Sequence, residues 1–153
     1  MLKILLCADN HGDRASLEKI LSDNPKCDYY FHLGDSGFNA EEIKPFVSVK
    51  GNNDWGNDYP RKIVVEIGDH RILLMHGDGY TYSINAMAQM AKNEKCDSLF
   101  FGHVHRYYDE KHYGIRMINP GSAFSNRDGS DPCYCIVTID SDGTMKSEKM
   151  NVW

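Results

Sequence analysis

The sequence has no apolar run close to the roughly 20 residues that a membrane-spanning helix needs. Its first apolar run, Met1–Leu6, is short and reaches Asp9 without the small-residue cleavage site of a signal peptide. We therefore expect a protein that makes no membrane contact.

The sequence also lacks the CxxC spacing of paired cysteines. Its cysteines form an odd set of five: Cys7, Cys27, Cys96, Cys133 and Cys135. Such a set fits reduced thiols better than a disulfide framework. We therefore expect a cytoplasmic protein.

Basic residues are in the minority, and no basic tract with interleaved aromatics is present. The 17 Lys and Arg residues are outnumbered by 22 Asp and Glu residues, which gives a formal net charge of -5. This balance argues against binding of duplex nucleic acid along a broad basic face. It leaves open a local anion site, because bound metal ions can reverse the field there.

No internal repeat, low-complexity segment or linker interrupts the 153 residues. A chain of this length corresponds to one domain and can bury roughly two thirds of its unfolded surface. We expect residues 1–153 to form a single domain.

Apolar periodicity predicts an α/β chain in which early βα units are followed by several hairpins. Helices are expected after Asp13 or Ser16, after Asn39 and after Ser83, and Pro25 should end the first one. The predicted strands are residues 2–7, 29–33, 47–50, 62–67, 71–75, 99–101, 107–112, 115–118, 133–139 and 144–152. This order indicates two mixed β-sheets packed face to face, with helices outside.

Polar residues follow the ends of five predicted strands, where the sheet can hold them at one edge. They are Asp9, His11, Asp35, Asn52, His76, His103 and His105. Seven oxygen and nitrogen donors are too many for one tetrahedral zinc ion, and no thiolate is among them. The set suits two borderline divalent cations that share a carboxylate. Asp35 stands alone at its strand end and is the candidate bridge.

The order of these motifs resembles that of the calcineurin-like metallophosphoesterases, in particular their small YfcE-type phosphodiesterase branch. The motifs are Asp9-x-His11, Gly34-Asp35, Gly51-Asn52, His76-Gly77, Gly102-His103-Val104-His105 and Asn119-Pro120-Gly121-Ser122. The resemblance implies a four-layer α-β-β-α sandwich of two mixed sheets flanked by helices. It also implies that a first metal is held by Asp9, His11 and His105, and a second by Asn52, His76 and His103, with Asp35 bridging the two.

The resemblance further implies a metal-dependent phosphoric ester hydrolase, specifically a phosphodiesterase in which a metal-bridging hydroxide attacks in line. Mn²⁺ is the expected metal, and Ni²⁺, Fe²⁺ and Zn²⁺ are alternatives, since nitrogen and carbonyl donors suit several first-row ions. Candidate catalytic residues are Asp35, Asn53 and His103. Candidate substrate-binding residues are Asn10 and Arg127. The expected partner is a small phosphodiester or phosphate ester, and a homo-oligomer is left open.

Other functions remain open at this point. A phosphomonoesterase is the nearest alternative, and it would require cationic side chains clustered near the metals. A protein-interaction scaffold of the same fold is known in the retromer subunit, but its metal constellation is incomplete, whereas every ligand position is filled here. A nuclease is disfavoured by the acidic charge.

Several residues outside the motifs are assigned structural roles. His32, His70 and His112 are expected to be structural or solvated, and Gly68-Asp69 is expected to form a hairpin turn. Trp55, Tyr80 and Tyr82 follow ligand motifs and are assigned to packing in the core or at the rim, with pocket lining as the alternative. The composition of Asn119–Ser122 predicts a tight turn.

Asn53 occupies the position after the asparagine ligand, where many family members carry a histidine that protonates the departing oxygen. An amide cannot supply a proton near neutral pH. We therefore predict that activated diesters, such as nitrophenyl diesters, are hydrolysed far faster than alkyl diesters. Steady-state rates on matched aryl and alkyl diesters test this, and equal rates with chemistry limiting would contradict it.

Overall fold

A computed structural model describes residues 1–56, 58–79 and 83–153. These residues contain two α-helices and ten strands, in the order β1 Leu2–Cys7, α1 Arg14–Asp23, β2 Tyr29–His32, β3 Val47–Ser48, β4 Lys62–Ile67, β5 His70–Met75, α2 Ile84–Asn93, β6 Ser98–Phe100, β7 Tyr107–His112, β8 Ile115–Pro120, β9 Cys133–Ile139 and β10 Met145–Asn151. A short 3-10 turn at Glu41–Ile43 precedes β3. None of the helices in the described ranges is long and apolar enough to cross a membrane.

The described strands form two mixed sheets of five strands each. The first sheet has the order β10-β9-β1-β2-β3, and β1, β2 and β3 run parallel. The second has the order β4-β5-β6-β8-β7, and β5, β6 and β8 run parallel. The parallel strands of each sheet therefore deliver several carboxyl ends to one edge, as ligand sites on open α/β sheets require.

Strand β1 shows why a continuous apolar run lies at the centre of the first sheet. Ile4 and Leu6 pack into the core between the two sheets, whereas Leu5 and Cys7 pack into the outer core beneath α1. Both faces are covered from Ile4 to Cys7, so these four positions need apolar residues. Each such leucine contributes about 2 kcal/mol of burial free energy.

The two helices cover the outer faces of the sheets. In α1, Asp13 accepts a hydrogen bond from the Ala15 backbone N–H as the N-cap, and Ile20 is buried against the first sheet. In α2, Met87 and Ala91 pack against the second sheet. The layer order is thus helix, sheet, sheet, helix, and the predicted four-layer sandwich is confirmed.

The local differences from the predicted elements lie around proline. Instead of a helix through Phe46, a 3-10 turn forms at Glu41–Ile43, and the following strand β3 contains only Val47–Ser48. Pro45 restricts the residue before it to extended backbone, so the helix cannot continue. The tight turn predicted at Asn119–Ser122 is wrong in its first half, because β8 extends to Pro120 and pairs it with Tyr107.

A polar network joins the edge strands of the two sheets. The Arg116 guanidinium donates to both oxygens of Asp109, at 2.6 and 2.9 Å, and to the Met145 carbonyl at 2.8 Å. Ser147 on β10 donates to the same carboxylate and also pairs with the Tyr107 hydroxyl. Burial alone would raise the pKa of Asp109, but these hydrogen bonds outweigh it and lower the pKa.

We predict that Asp109→Asn lowers the free energy of unfolding by about 2 kcal/mol, because charge-assisted hydrogen bonds are lost. The loss in free energy of unfolding should be complete at pH values above the ordinary pKa of a carboxyl group. It should shrink below about pH 4, where the wild-type carboxylate becomes protonated. Urea unfolding across pH measures both effects. Glu148→Gln, an exposed charge loss on β10, is the control, and equal destabilisation by both variants would contradict the network's role.

Candidate metal centre

The loops that follow β1 and β2 run side by side past the ends of their strands. The Asp9 backbone N–H donates to the Gly34 carbonyl at 3.0 Å, and the His11 backbone N–H donates to the Asp35 carbonyl at 3.0 Å. In the second sheet the Gly102 backbone N–H likewise donates to the His76 carbonyl at 3.0 Å. The predicted ligands are therefore carried by backbone that is paired like a sheet, although it lies outside the strands.

Five of the predicted ligands adopt the left-handed backbone conformation that non-glycine residues seldom adopt. Their φ angles are Asp9 56°, His11 45°, Asp35 61°, His103 72° and His105 54°. Each such residue costs of order 1 kcal/mol and persists only where its surroundings impose it. The reversal turns each side chain out of the strand direction toward a common point.

Two glycines leave room for the ligands. A Cβ on Gly51 would lie 2.1 Å from the Asp35 Oδ1 atom, and a Cβ on Gly34 would lie 2.5 Å from the His76 Nδ1 atom. Gly34 also has a φ of 105°. Any side chain at either position would displace a ligand.

A first compact group of donors consists of Asp9, His11 and His105. The Asp9 Oδ1 atom lies 3.7 Å from His11 Nε2 and 3.4 Å from His105 Nε2. The two histidine Nε2 atoms are 3.1 Å apart. Three donor atoms at these separations surround a space of the size that a single cation fills.

A second compact group consists of Asp9, Asp35 and His76. His76 Nε2 lies 3.4 Å from Asp35 Oδ2 and 3.8 Å from Asp9 Oδ1. Asp35 Oδ2 also lies 3.9 Å from His11 Nε2, in the first group. Both carboxylates therefore lie between the groups, whereas the sequence pointed to Asp35 alone.

The hydrogen bonding of the Asp9 carboxylate indicates whether the site fits a metal ion. Its Oδ2 atom accepts a hydrogen bond from the His103 backbone N–H at 2.8 Å. Its Oδ1 atom is buried and has no hydrogen-bond partner among the described residues. A buried, unpaired carboxylate oxygen beside three imidazole nitrogens is costly without a cation, so the residues present fit one.

Asn52 and His103 lie on the side of the second group. The Asn52 Oδ1 atom is 3.0 Å from His76 Nε2. The rings of His103 and His76 meet edge to face, with centroids 5.0 Å apart. The structure thus brings all seven predicted ligands to one site.

Backbone carbonyls orient two of the imidazoles. His76 donates through Nδ1 to the Leu33 carbonyl at 2.7 Å, and His105 donates through Nδ1 to the Ser125 carbonyl at 3.1 Å. Each hydrogen bond assigns the proton to Nδ1 and leaves Nε2 for a metal. These partners could not be found from the sequence, because a carbonyl carries no residue signature.

The charges of the second group are strongly coupled. Burial alone would raise the pKa of Asp35, but hydrogen bonds from His76 and Asn53 outweigh it and hold the pKa well below its usual range. Burial alone would lower the pKa of His76, but Asp35 and Asp9 raise it to about 9. Burial and the nearby His76 charge lower the pKa of His103.

Asn53 and Asp54 hold the second group together. The backbone and side-chain N–H groups of Asn53 donate to the two oxygens of Asp35, at 2.8 and 3.0 Å. The buried Asp54 accepts from the backbone N–H groups of Asp35 and Gly51, at 2.9 and 2.7 Å. Asp54 directly follows the Gly51-Asn52-Asn53 motif, but the sequence alone indicated no role for this residue.

Ser122 and Asn119 fix the Asp9 and His103 loops. Ser122 donates to the Asp9 carbonyl at 2.7 Å, and Asn119 donates to the Gly102 carbonyl at 2.8 Å. The Asn119-Pro120-Gly121-Ser122 motif therefore supports the centre from beneath. Its turn-like composition concealed this role.

Asn10 is fully buried and supports the first loop. Its side chain donates to the Ser36 carbonyl at 2.9 Å and pairs with His32 Nε2 at 2.7 Å. Burial lowers the pKa of His32 to about 4, so this histidine is neutral. Asn10 would have to leave both partners to bind substrate, which argues against its predicted role.

The remaining candidates lie at the rim. Arg127 is exposed, and its backbone N–H donates to the His105 carbonyl at 2.9 Å. Trp55 is 85% exposed, which rules out core packing and leaves the rim from its assignment to core or rim. The assignments of Tyr80 and Tyr82 lie outside the described residues.

Comparison with known proteins assigns the chain to a family. Residues 2–142 match the calcineurin-like phosphoesterase superfamily domain. The chain belongs to this family. YsnB of Bacillus subtilis, named a probable metallophosphoesterase, is 30% identical over 146 residues, which cover 92% of this chain and 86% of YsnB.

Solved structures of calcineurin-like phosphoesterase fold agree closely. A predicted phosphoesterase from Streptococcus pneumoniae TIGR4 has a TM-score of 0.90 and 27% identity, covering 99% of this chain and 90% of that one. Vacuolar Protein Sorting 29 from Cryptosporidium parvum has a TM-score of 0.75 and 20% sequence identity, and the match covers 97% of this chain and 96% of that one. A novel archaeal phosphodiesterase has a TM-score of 0.71 and 22% sequence identity, and the match covers 97% of this chain and 100% of that one. The latter two show the fold alone.

We predict that metal binding becomes tighter as pH rises from 6 toward 9. His76 has a raised pKa of about 9, so a metal must displace its proton at lower pH. Mn²⁺ titration calorimetry in buffers of different ionisation enthalpy measures the affinity and the proton release. His112→Asn changes a histidine outside both donor groups and should keep the wild-type profile. An affinity that does not change with pH would contradict this prediction.

Proposed function

We propose that this protein is a metal-dependent phosphodiesterase with a dinuclear centre. The observation that carries the proposal is the buried Asp9 Oδ1 atom, which has no hydrogen-bond partner among the described residues and belongs to both compact donor groups. Membership of the calcineurin-like phosphoesterase family supports the same reaction class.

We divide the seven proposed ligands between two cations, one on each side of the site. Asp9, His11 and His105 hold the first cation, Asn52, His76 and His103 hold the second, and Asp35 bridges them. The Asp35 Oδ2 atom supports this role, since it lies 3.9 Å from His11 Nε2 and 3.4 Å from His76 Nε2. Asp9 Oδ1 also approaches both groups and adds negative charge to each.

Two bound divalent ions would supply Lewis-acid stabilisation of phosphate oxygens and would lower the pKa of a water molecule. Mn²⁺ is the proposed metal, with Ni²⁺, Fe²⁺ or Zn²⁺ as alternatives for this nitrogen and oxygen donor set. The chain's own contribution is to fix the donors before substrate arrives. Three features support this preorganisation: the positive φ angles of the ligand residues, the hydrogen bond from His76 to a backbone carbonyl, and the hydrogen bond from Asn53 to Asp35.

Asn53 and His103 were the candidates for direct catalysis beside Asp35. Asn53 uses its amide N–H on the Asp35 carboxylate, which supports a positioning role. His103 has a lowered pKa and is therefore suited to ligate as a neutral ring. Neither residue is a good proton donor to a leaving oxygen, which supports the expected preference for activated diesters.

Phosphomonoesters are the second candidate substrate class. Arg106 and Arg127 line a pocket beside the centre, and such cations favour a dianionic phosphate. Arg61, by contrast, is held by Asp78 at 2.9 Å. We propose the diester first, because one structural neighbour of the same fold is a phosphodiesterase.

A protein-interaction scaffold is the alternative from another class. The likeness to Vacuolar Protein Sorting 29 supports it only at the level of the fold. The complete set of donors around the unpaired Asp9 oxygen favours the enzyme. All five cysteines are free thiols, which supports the proposed cytoplasmic location.

We predict that chelator-treated protein gains activity on bis(p-nitrophenyl) phosphate when Mn²⁺ is added. Asp35→Asn should lower kcat/KM by at least about 100-fold, because the bridging charge is lost. Asp69→Asn is the matched control, since Asp69 also follows a glycine but lies exposed in the β4-β5 turn. Nitrophenolate release and Mn²⁺ binding are measured on the same preparations.

Parallel assays with p-nitrophenyl phosphate decide between diester and monoester. Faster hydrolysis of the monoester would replace the phosphodiesterase by a phosphomonoesterase. Metal binding without hydrolysis of either compound would favour the scaffold. Equal activity of wild type and Asp35→Asn would contradict the dinuclear site.

A further inference from the structure

A pocket of about 310 Å³ lies beside the metal centre, and none of its residues is among the proposed metal ligands. Its lining residues are Ile84, Phe101, Val104, Arg106, Tyr108, Arg127 and Asp128. We call it the arginine pocket. Its volume is at the lower end of the range for small-molecule sites, so one compact organic group fills it.

The arginine pocket adjoins the metal centre directly. Val104 stands between the ligands His103 and His105, so one wall of the pocket is a single residue away from both. Arg127 is held on the same side by its backbone hydrogen bond to the His105 carbonyl at 2.9 Å. A substrate with its phosphate at the metals can therefore extend one substituent into this pocket.

The apolar part of the pocket is built from the outer core of the second sheet. Phe101 and Tyr108 pack at 69° with ring centroids 6.2 Å apart. Ile84 and Val104 are partly buried against the same cluster. Phe101 is buried in this cluster, so the half-buried Tyr108 ring is the aromatic surface that can contact a flat ring.

The polar part of the pocket is cationic in a protein of net charge -5. Arg106 and Arg127 are both exposed, and within the described ranges neither forms an ion pair. Asp128 lines the pocket, but its Oδ1 atom accepts from the backbone N–H and the hydroxyl of Ser130, at 3.0 and 2.7 Å. Two arginine side chains thus line the pocket, and the fork geometry of a guanidinium group matches phosphate.

We propose that the arginine pocket binds a nucleotide-type ester substituent, with the base on the Tyr108 side and a second phosphate at Arg106. This rests on the proposed function, because the scissile phosphate must lie at the metals. Arg127, next to His105, contacts the scissile phosphate, and Arg106 contacts the second one. The substrate class is then a small nucleoside phosphodiester that carries a further phosphate.

Binding of thymidine 3′,5′-bisphosphate tests the pocket without any catalytic step. The control ligand is 1,3-propanediol bisphosphate, which has two phosphates and no ring. Both are titrated calorimetrically into Mn²⁺-loaded and into chelator-treated full-length protein. We expect the thymidine compound to bind at least about tenfold more tightly, because only it has a base that can contact the Tyr108 ring.

Arg106→Gln should weaken thymidine bisphosphate binding by about tenfold through loss of a charge-assisted phosphate contact. Lys111→Gln removes one exposed positive charge from β7, the strand that directly follows Arg106. This position lies outside the pocket, and the variant should bind like wild type. Circular dichroism of both variants verifies folding.

Equal binding of the two ligands, absent binding, or no effect of Arg106→Gln would overturn the pocket proposal. Tighter binding of a single-stranded thymidine oligonucleotide would overturn it in favour of nucleic-acid ends. Hydrolysis of bis(p-nitrophenyl) phosphate by the same preparations judges the esterase separately. Hydrolysis without nucleotide binding refutes only the pocket, and nucleotide binding without hydrolysis refutes only the esterase.

Discussion

The Asp9 carboxylate is the group on which the geometry of the centre depends. It lies at the end of β1 in the first sheet, and its Oδ2 atom accepts from the His103 backbone N–H in a loop of the second sheet. This hydrogen bond sets the distance between the two halves of the site. The remaining oxygen, Oδ1, is buried and unpaired among the described residues, which is the electrostatic reason for a cation.

The rest of the centre is held by backbone rather than by side-chain packing. Loops that follow neighbouring strands pair as if the sheet continued, and the positive φ angles then turn the ligands out of the sheet direction. Asp54, Asn119 and Ser122 tie these loops to one another through backbone groups. A site built in this way is rigid before substrate binds, which electrostatic stabilisation requires.

Much of the fold could be predicted from the sequence, because strand and helix periods are local properties. The apolar pattern predicted the bounds of β1 and β9, and it also predicted the three hairpins with Gly-containing turns and the two outer helices. Prolines limited the prediction. Pro45 stopped a helix that its flanking residues favoured, and Pro120 ended a strand where its composition indicated a turn. In both places the surrounding structure decided the backbone.

The seven proposed ligands could be identified from the sequence alone, since each follows a strand end in a specific motif. Only the tertiary structure decided how they are held and what lies beside them. The Asn10 side chain donates to the Ser36 carbonyl, and the Asn53 side chain donates to the Asp35 carboxylate. Arg106 lines a pocket next to His105. The physical reason is that hydrogen bonds to backbone carbonyls and contacts between distant loops leave no periodic signal in a chain.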